Sequence, residues 1–129
     1  MRFLTSAIGC LAVAAAGAWF GPARAQGSSG DAAAEGKVDQ AINTHYFETN
    51  FDEAEAVLRE ALMDCGGQCS AKMQAKIWMY LGIVLLNGKQ DPVEAKKAFQ
   101  SAVQLDPTVQ LDERLTSDET EQLFAEAGG

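Results

Sequence analysis

The chain has 129 residues, a formal net charge of −8 and 47% hydrophobic residues. An acidic balance of that size argues against nucleic acid and anionic membrane surfaces as partners, since both require a basic footprint. The length supports one small core and no more.

The start of the chain reads as an export signal rather than as part of that core. Met1-Arg2 is a short positive segment, Phe3 to Phe20 is apolar and Ala-rich, Gly21-Pro22 breaks any helix, and Ala23-Arg24-Ala25 has the small-x-small form of a cleavage site. Residues 1–25 are therefore expected to be removed after Ala25, with an uncleaved membrane anchor as the alternative. Cys10 is read as a small apolar residue of that signal. The remaining chain, 26–129, carries 8 basic and 18 acidic residues, a net charge of −10, which suits an exported protein of the periplasm or the extracellular space with no further membrane contact. Export also sets the meaning of the two cysteines left. Cys65 and Cys69 flank Gly66-Gly67-Gln68, and an even, closely spaced pair in an oxidising compartment reads as a disulfide pinning the turn between two helices.

Residues 26–36 are small and polar without periodicity and are expected to form a flexible linker, leaving 37–127 as the helical domain. Val38, Ala41, Ile42, His45 and Tyr46 follow the 3-4 spacing of a helix from Lys37. Asn50 is placed to cap a second helix from Phe51 to about Met63, with Ala54, Val57, Leu58, Ala61 and Leu62 on one face and Gly66-Gly67 beyond its end. A third helix is expected from Ser70 to Leu86, apolar nearly all round in its second half and hence the most buried. Asp91 as cap, Pro92 at the first position and Glu94 three residues later open a fourth helix, which ends at Leu105 before Asp106-Pro107. Thr108 to Leu115 reads as a connector. Thr116-Ser117-Asp118-Glu119 is a capping-box signature that opens a short last helix with Leu123, Phe124 and Ala127 on its apolar side. No segment alternates as a strand does.

Ala54, Leu58 and Ala61 recur 41 positions later as Ala95, Phe99 and Ala102, and Phe51-Asp52-Glu53-Ala54 is echoed by Pro92-Val93-Glu94-Ala95. The first helix of each unit then pairs Val38, Ala41, Ile42 and His45 with Trp78, Leu81, Gly82 and Leu85. Trp78-x2-Leu81-Gly82-x2-Leu85, followed by Ala95-x3-Phe99 and Pro107, resembles the tetratricopeptide repeat. That resemblance implies an all-α fold of antiparallel helix-turn-helix repeats, an α-solenoid of about two units plus a C-terminal helix. It places Ala54, Leu58, Ala61, Trp78, Leu81, Gly82, Leu85, Ala95, Phe99, Ala102 and Pro107 in the repeat core. The spacing departs from the usual period of about 34, with the surplus around Cys65 to Ala75 and one extra residue placed in the Asn87 to Asp91 turn.

The resemblance also implies a scaffold or adaptor that binds a protein or peptide in the cell envelope, in a groove between Val38–Tyr46 and Ala75–Leu85. His45, Tyr46, Met79 and Tyr80 are the candidate contact residues, because Met79 and Tyr80 fall partly off the core face. No catalytic set, cofactor motif or metal ligand set is expected. His45 is the sole histidine and reads as an ordinary packed side chain. No second ligand pair accompanies Cys65 and Cys69 for zinc. The acids are spread over helix surfaces, and phosphate-loop, dinucleotide, G-x-S-x-G and H-E-x-x-H motifs are absent. The alternative function is a periplasmic thiol-disulfide protein using Cys65 and Cys69, with Cys69 favoured as the reactive thiol by its place before a helix.

Overall fold

The computed structural model describes residues 29–129, so the expected signal segment lies outside the described residues. Five helices follow in chain order: α1 (Asp31–Asp39, prolonged by Gln40–Tyr46), α2 (Phe51–Cys65), α3 (Ala71–Ile83, prolonged by Val84–Gly88), α4 (Pro92–Leu105) and α5 (Asp118–Glu126). Among the described residues there is no strand, and no helix is long and apolar enough to cross a membrane. Each helix packs on its sequence neighbour, and α1 also packs on α3.

The starts of α3, α4 and α5 lie where short polar side chains accept from free backbone amides. Ser70 takes the Met73 N–H, Asp91 the Glu94 N–H and Ser117 the Thr120 N–H. Three capping details differ from the sequence reading. Asn50 stands at the N-cap position of α2, but its side chain accepts from none of the free amides there. Glu94 does not close a capping box but pairs with Lys97 at 2.7 Å. The last helix is capped by Ser117, whereas the Thr116 hydroxyl donates to the Asp112 carbonyl at 2.7 Å. At the other end of α2, Gly66 adopts φ 39°, the left-handed conformation that glycine accepts without a Cβ clash.

Residues 26–36 do not form the expected linker throughout, because α1 begins at Asp31, six residues before Lys37. Tertiary anchors explain it. The Gly30 N–H donates to the Gln68 carbonyl at 3.1 Å, the Ser70 N–H and hydroxyl both donate to the Asp31 carboxylate at 2.7 Å, and Ala34 is 4% exposed. An Ala-rich sequence has the helix propensity, and burial against the α2–α3 corner supplies the rest. Asp31 is thus a fixed point of the fold.

The first helix of each pair ends in a wider turn. Phe47 and Asn50 donate to the carbonyls five residues back, Ile42 and His45, and Lys89 donates to Val84. Such π-helical turns hold one more residue than an α-helix allows. The surplus residue assigned to the Asn87–Asp91 turn is therefore taken up within the end of α3. Both pairs then reverse through a non-glycine residue of positive φ, Thr49 at 63° and, 41 positions on, Gln90 at 54°.

That correspondence corrects the register of the repeat by one residue. Val38, Ala41 and Ile42 are equivalent to Met79, Gly82 and Ile83, all buried, and not to Trp78, Leu81 and Gly82. Trp78 is only half-buried beside the core, while Met79 and Tyr80, expected partly off the core face, are 4% and 8% exposed. Pro107 is exposed; it ends α4 without packing in the core. Ala54, Leu58, Ala61, Leu81, Gly82, Leu85, Ala95, Phe99 and Ala102 are buried together. At Gly82 α3 and α4 meet closely: a Cβ there would lie 2.4 Å from the Phe99 ring. Edge-to-face packing of Phe99 on Phe124, 5.5 Å between centroids, carries the core on to α5.

Cys65 and Cys69 form a disulfide between the end of α2 and the residue before the α3 cap, with Cα atoms 4.9 Å apart. The loop it closes is so short that few unfolded conformations are removed. Replacing both cysteines by serine is expected to cost about 2 kcal/mol or less, read as the shift in urea unfolding of the oxidised protein against the double variant.

Candidate functional site

A groove of about 560 Å³ runs along the first half of α3. Asp31 and Glu35 of α1 form one wall, Met73, Lys76, Met79 and Tyr80 the floor, and Asp106 to Asp112 of the connector the other wall. The volume falls in the range of ordinary ligand pockets. Met73 and Met79, with Val109 and Leu111, make its apolar surface, and methionine adapts to irregular partners through its unbranched, polarisable chain.

The charged groups around the groove are largely matched within the protein. Glu35 holds Lys76 at 2.5 Å, Asp106 accepts from the Thr108 amide and hydroxyl, and Asp31 accepts from Ser70. Lys72 is exposed on the rim, where its charge acts on the Asp106 carboxylate.

A hydrogen-bonded strap fixes the connector. The Tyr80 hydroxyl donates to Asp112 Oδ2 at 2.8 Å, and Arg114 grips the same carboxylate through Nε at 3.1 Å and Nη2 at 2.7 Å. Burial, with the Asp112 charge beside it, pushes the Tyr80 hydroxyl up to about 12. The Arg114 guanidinium, with help from Tyr80, holds the Asp112 carboxyl down at about 2, against an ordinary value of 3.8. A carboxyl depressed by folding stabilises the fold at pH above its ordinary value, and loses that contribution as pH falls through its folded value. Asp112→Asn is therefore expected to unfold more readily than the parent at neutral pH. The gap should close between pH 3.8 and about 2, which urea midpoints across that range will measure. A gap independent of pH would mean the carboxylate charge does not contribute.

The four candidate contact residues fall in two places. Met79 and Tyr80 line the groove, whereas His45 and Tyr46 lie at the far end of the same helix layer. Tyr46 is committed there: its hydroxyl accepts from Asn87 at 3.2 Å and its ring packs edge-on to Phe47 and Phe51. His45 is half-exposed, with the Gln40 side chain 3.5 Å away. Asp31, Glu35 and the connector residues Val109, Leu111 and Asp112 were not signalled as site residues by the sequence. Only Tyr80 offered a hint, since a buried tyrosine needs a partner for its hydroxyl, and nothing local says that Asp112 is that partner.

The disulfide lies apart from this groove, with Cys65 2% and Cys69 7% exposed. Among the described residues no group of three or more His, Cys, Asp and Glu converges as a metal site. Comparison with protein-family models, curated proteins and solved structures gives no match to this chain.

Proposed function

We propose that this chain is an exported, tetratricopeptide-like interaction module that binds an extended, apolar segment of a protein partner in the groove on α3. The observation that carries the reading is the groove itself: an apolar floor of Met73 and Met79 between two walls, with Glu35, Lys76, Asp106 and Asp112 already matched by neighbours. A partner entering it gains apolar burial without breaking those pairs, which favours an apolar segment over a strongly charged one. The equivalence of the two helix pairs and the packing of α1 on α3 support stacked repeats. The disulfide suits an oxidising compartment and hence export. Burial of both sulfurs favours a structural disulfide over a thiol-disulfide enzyme, whose reactive thiol must be reachable.

Introducing charge into the groove tests the site. Met73→Glu and Leu111→Glu, both at half-buried groove positions, are expected to reduce affinity capture of the partner from an envelope fraction by tenfold or more, with far-ultraviolet circular dichroism unchanged. A core-neutral change outside the groove, His45→Gln, is expected to leave capture intact. Full capture by both glutamate variants would remove the groove as the binding site.

A further inference from the structure

The disulfide and the start of α1 hold each other. Gln68, inside the five-residue Cys65–Cys69 segment, accepts the Gly30 N–H at 3.1 Å, and Ser70, next to Cys69, gives its N–H and hydroxyl to Asp31. In return the α1 backbone passes hard against the bridge: a methyl on Gly30 would lie 3.1 Å from Cys69 Sγ. A small cavity of about 170 Å³ between Ala33, Lys37, Asp64 and the two cysteines leaves the bridge covered by α1 without being sealed. The same first turns of α1, through Asp31 and Glu35, are one wall of the groove.

We propose that the Cys65–Cys69 disulfide is a redox-sensitive clasp that fixes the first turns of α1 and with them one wall of the groove. Oxidised, the short ring holds Gln68 and Ser70 in the positions that receive Gly30 and Asp31. A dithiol reductant opens it by exchange. One of its thiolates attacks one sulfur of the bridge, the Cys65–Cys69 bond breaks, and the other cysteine leaves as a thiolate that takes up a proton. The second reductant thiol then displaces the bound cysteine, so two electrons and two protons pass to the cysteines and the reductant becomes a disulfide. The Gly66-Gly67-Gln68 turn is thereby released from its ring, and the α1 anchors lose their fixed receivers. Linkage makes the effect reciprocal: whatever holds α1 in place protects the bridge from reduction, and whatever loosens α1 exposes it. That the clasp tunes partner binding rests on the function proposed above; the coupling between bridge and helix does not.

Hydrogen exchange on the full exported chain, with and without dithiothreitol as the reductant, tests the clasp and needs no partner. On reduction, the amides of α1 from Ala34, whose N–H bonds the Gly30 carbonyl at 2.9 Å, to Val38 are expected to exchange about tenfold faster. The amides of Leu81 to Ile83 in α3 should keep their rates. Equal α1 rates in both states, or acceleration of α3 together with α1, would overturn the proposal, the first because the clasp holds nothing and the second because its opening is global. Asp31→Ala, with the bridge intact, supplies the reverse measurement. Its disulfide should be half reduced at a several-fold lower ratio of reduced to oxidised dithiothreitol than that of the parent, and an unchanged ratio would equally overturn the coupling. Failure of groove variants to lose a partner would bear on the function alone.

Discussion

Phe99→Ala is expected to destabilise the protein by about 3–5 kcal/mol, the largest effect of any single truncation in the core. Phe99 is 0% exposed, lies against Gly82 and stacks edge-to-face on Phe124, so its removal opens the α3–α4 crossing and undercuts α5 together. The site cannot collapse to fill the void, because backbone stands on one side of it. The same contact makes a sharper expectation. In the first helix pair the equivalent positions hold Ala41 and Leu58, both fully buried, so a slightly larger residue faces a smaller one. Gly82→Ala alone drives a methyl into the Phe99 ring, at 2.4 Å from Cε1, and overpacking of that kind costs about 1–3 kcal/mol. Phe99→Leu alone leaves a cavity. The double variant restores the combination of the first pair and is expected to be more stable than the sum of the two single losses predicts. Thermal and urea unfolding of the four proteins measure the coupling. Simple additivity would show that Gly82 and Phe99 do not meet as described.

Asn87→Leu is expected to cost on the order of 3 kcal/mol, because one side chain satisfies groups from three segments. Its amide nitrogen donates to the Tyr46 hydroxyl at 3.2 Å and to the Leu115 carbonyl at 2.9 Å, and its oxygen accepts from the Thr120 hydroxyl at 3.2 Å. Thr120 is 0% exposed, and its remaining side-chain partner is Ser117 at 2.9 Å. Leucine fills the volume and returns none of these bonds, so a buried carbonyl and a buried hydroxyl are left short of partners. The loss should fall unevenly. The amides of α5 and of Leu115 should lose exchange protection first, while α2 keeps its own, since Asn87 ties α1 and α5 together across the end of α3. Asn87→Asp, which keeps one acceptor but no donor, should lie between the parent and leucine. If Asn87→Leu unfolds at the parental urea midpoint, this network contributes nothing to the fold.

Most of the local structure was legible because its causes are local. Asp91 is written into the sequence as a short polar acceptor ahead of an apolar stripe, Gly66 as a residue free to turn left-handed, and Cys65 and Cys69 as a pair that pins the turn between two helices. The amphipathic faces of α2 and α4 fixed Ala54, Leu58, Ala61, Ala95, Phe99 and Ala102 as inward-facing without ambiguity. The register of α3 was not fixed in that way. From Ile77 to Leu86 every side chain but Gly82 is apolar, so no face is marked, and only its place among α1, α2 and α4 decides that Met79, Gly82 and Ile83 match Val38, Ala41 and Ile42. The surplus residue in that helix could likewise be put in a turn or in a widened helix end, and the Lys89 N–H bonding back five residues to the Val84 carbonyl shows the latter.

The groove belongs wholly to tertiary structure. Its walls come from Asp31 and Glu35, in a segment too short of periodicity to read as helix, and from Val109, Leu111 and Asp112, in a connector with no pattern of its own. Their fixed points are made by partners far along the chain: Asp31 is held by Ser70, 39 residues away, Glu35 by Lys76, 41 away, and Asp112 by Tyr80, 32 away. The sequence by itself determined the courses of α2, α3 and α4 and the cap at Asp91, because capping and amphipathicity act within a turn or two. Where those helices meet and which side chains line the groove are set by long-range hydrogen bonds and close packing, and only the folded chain brings those together.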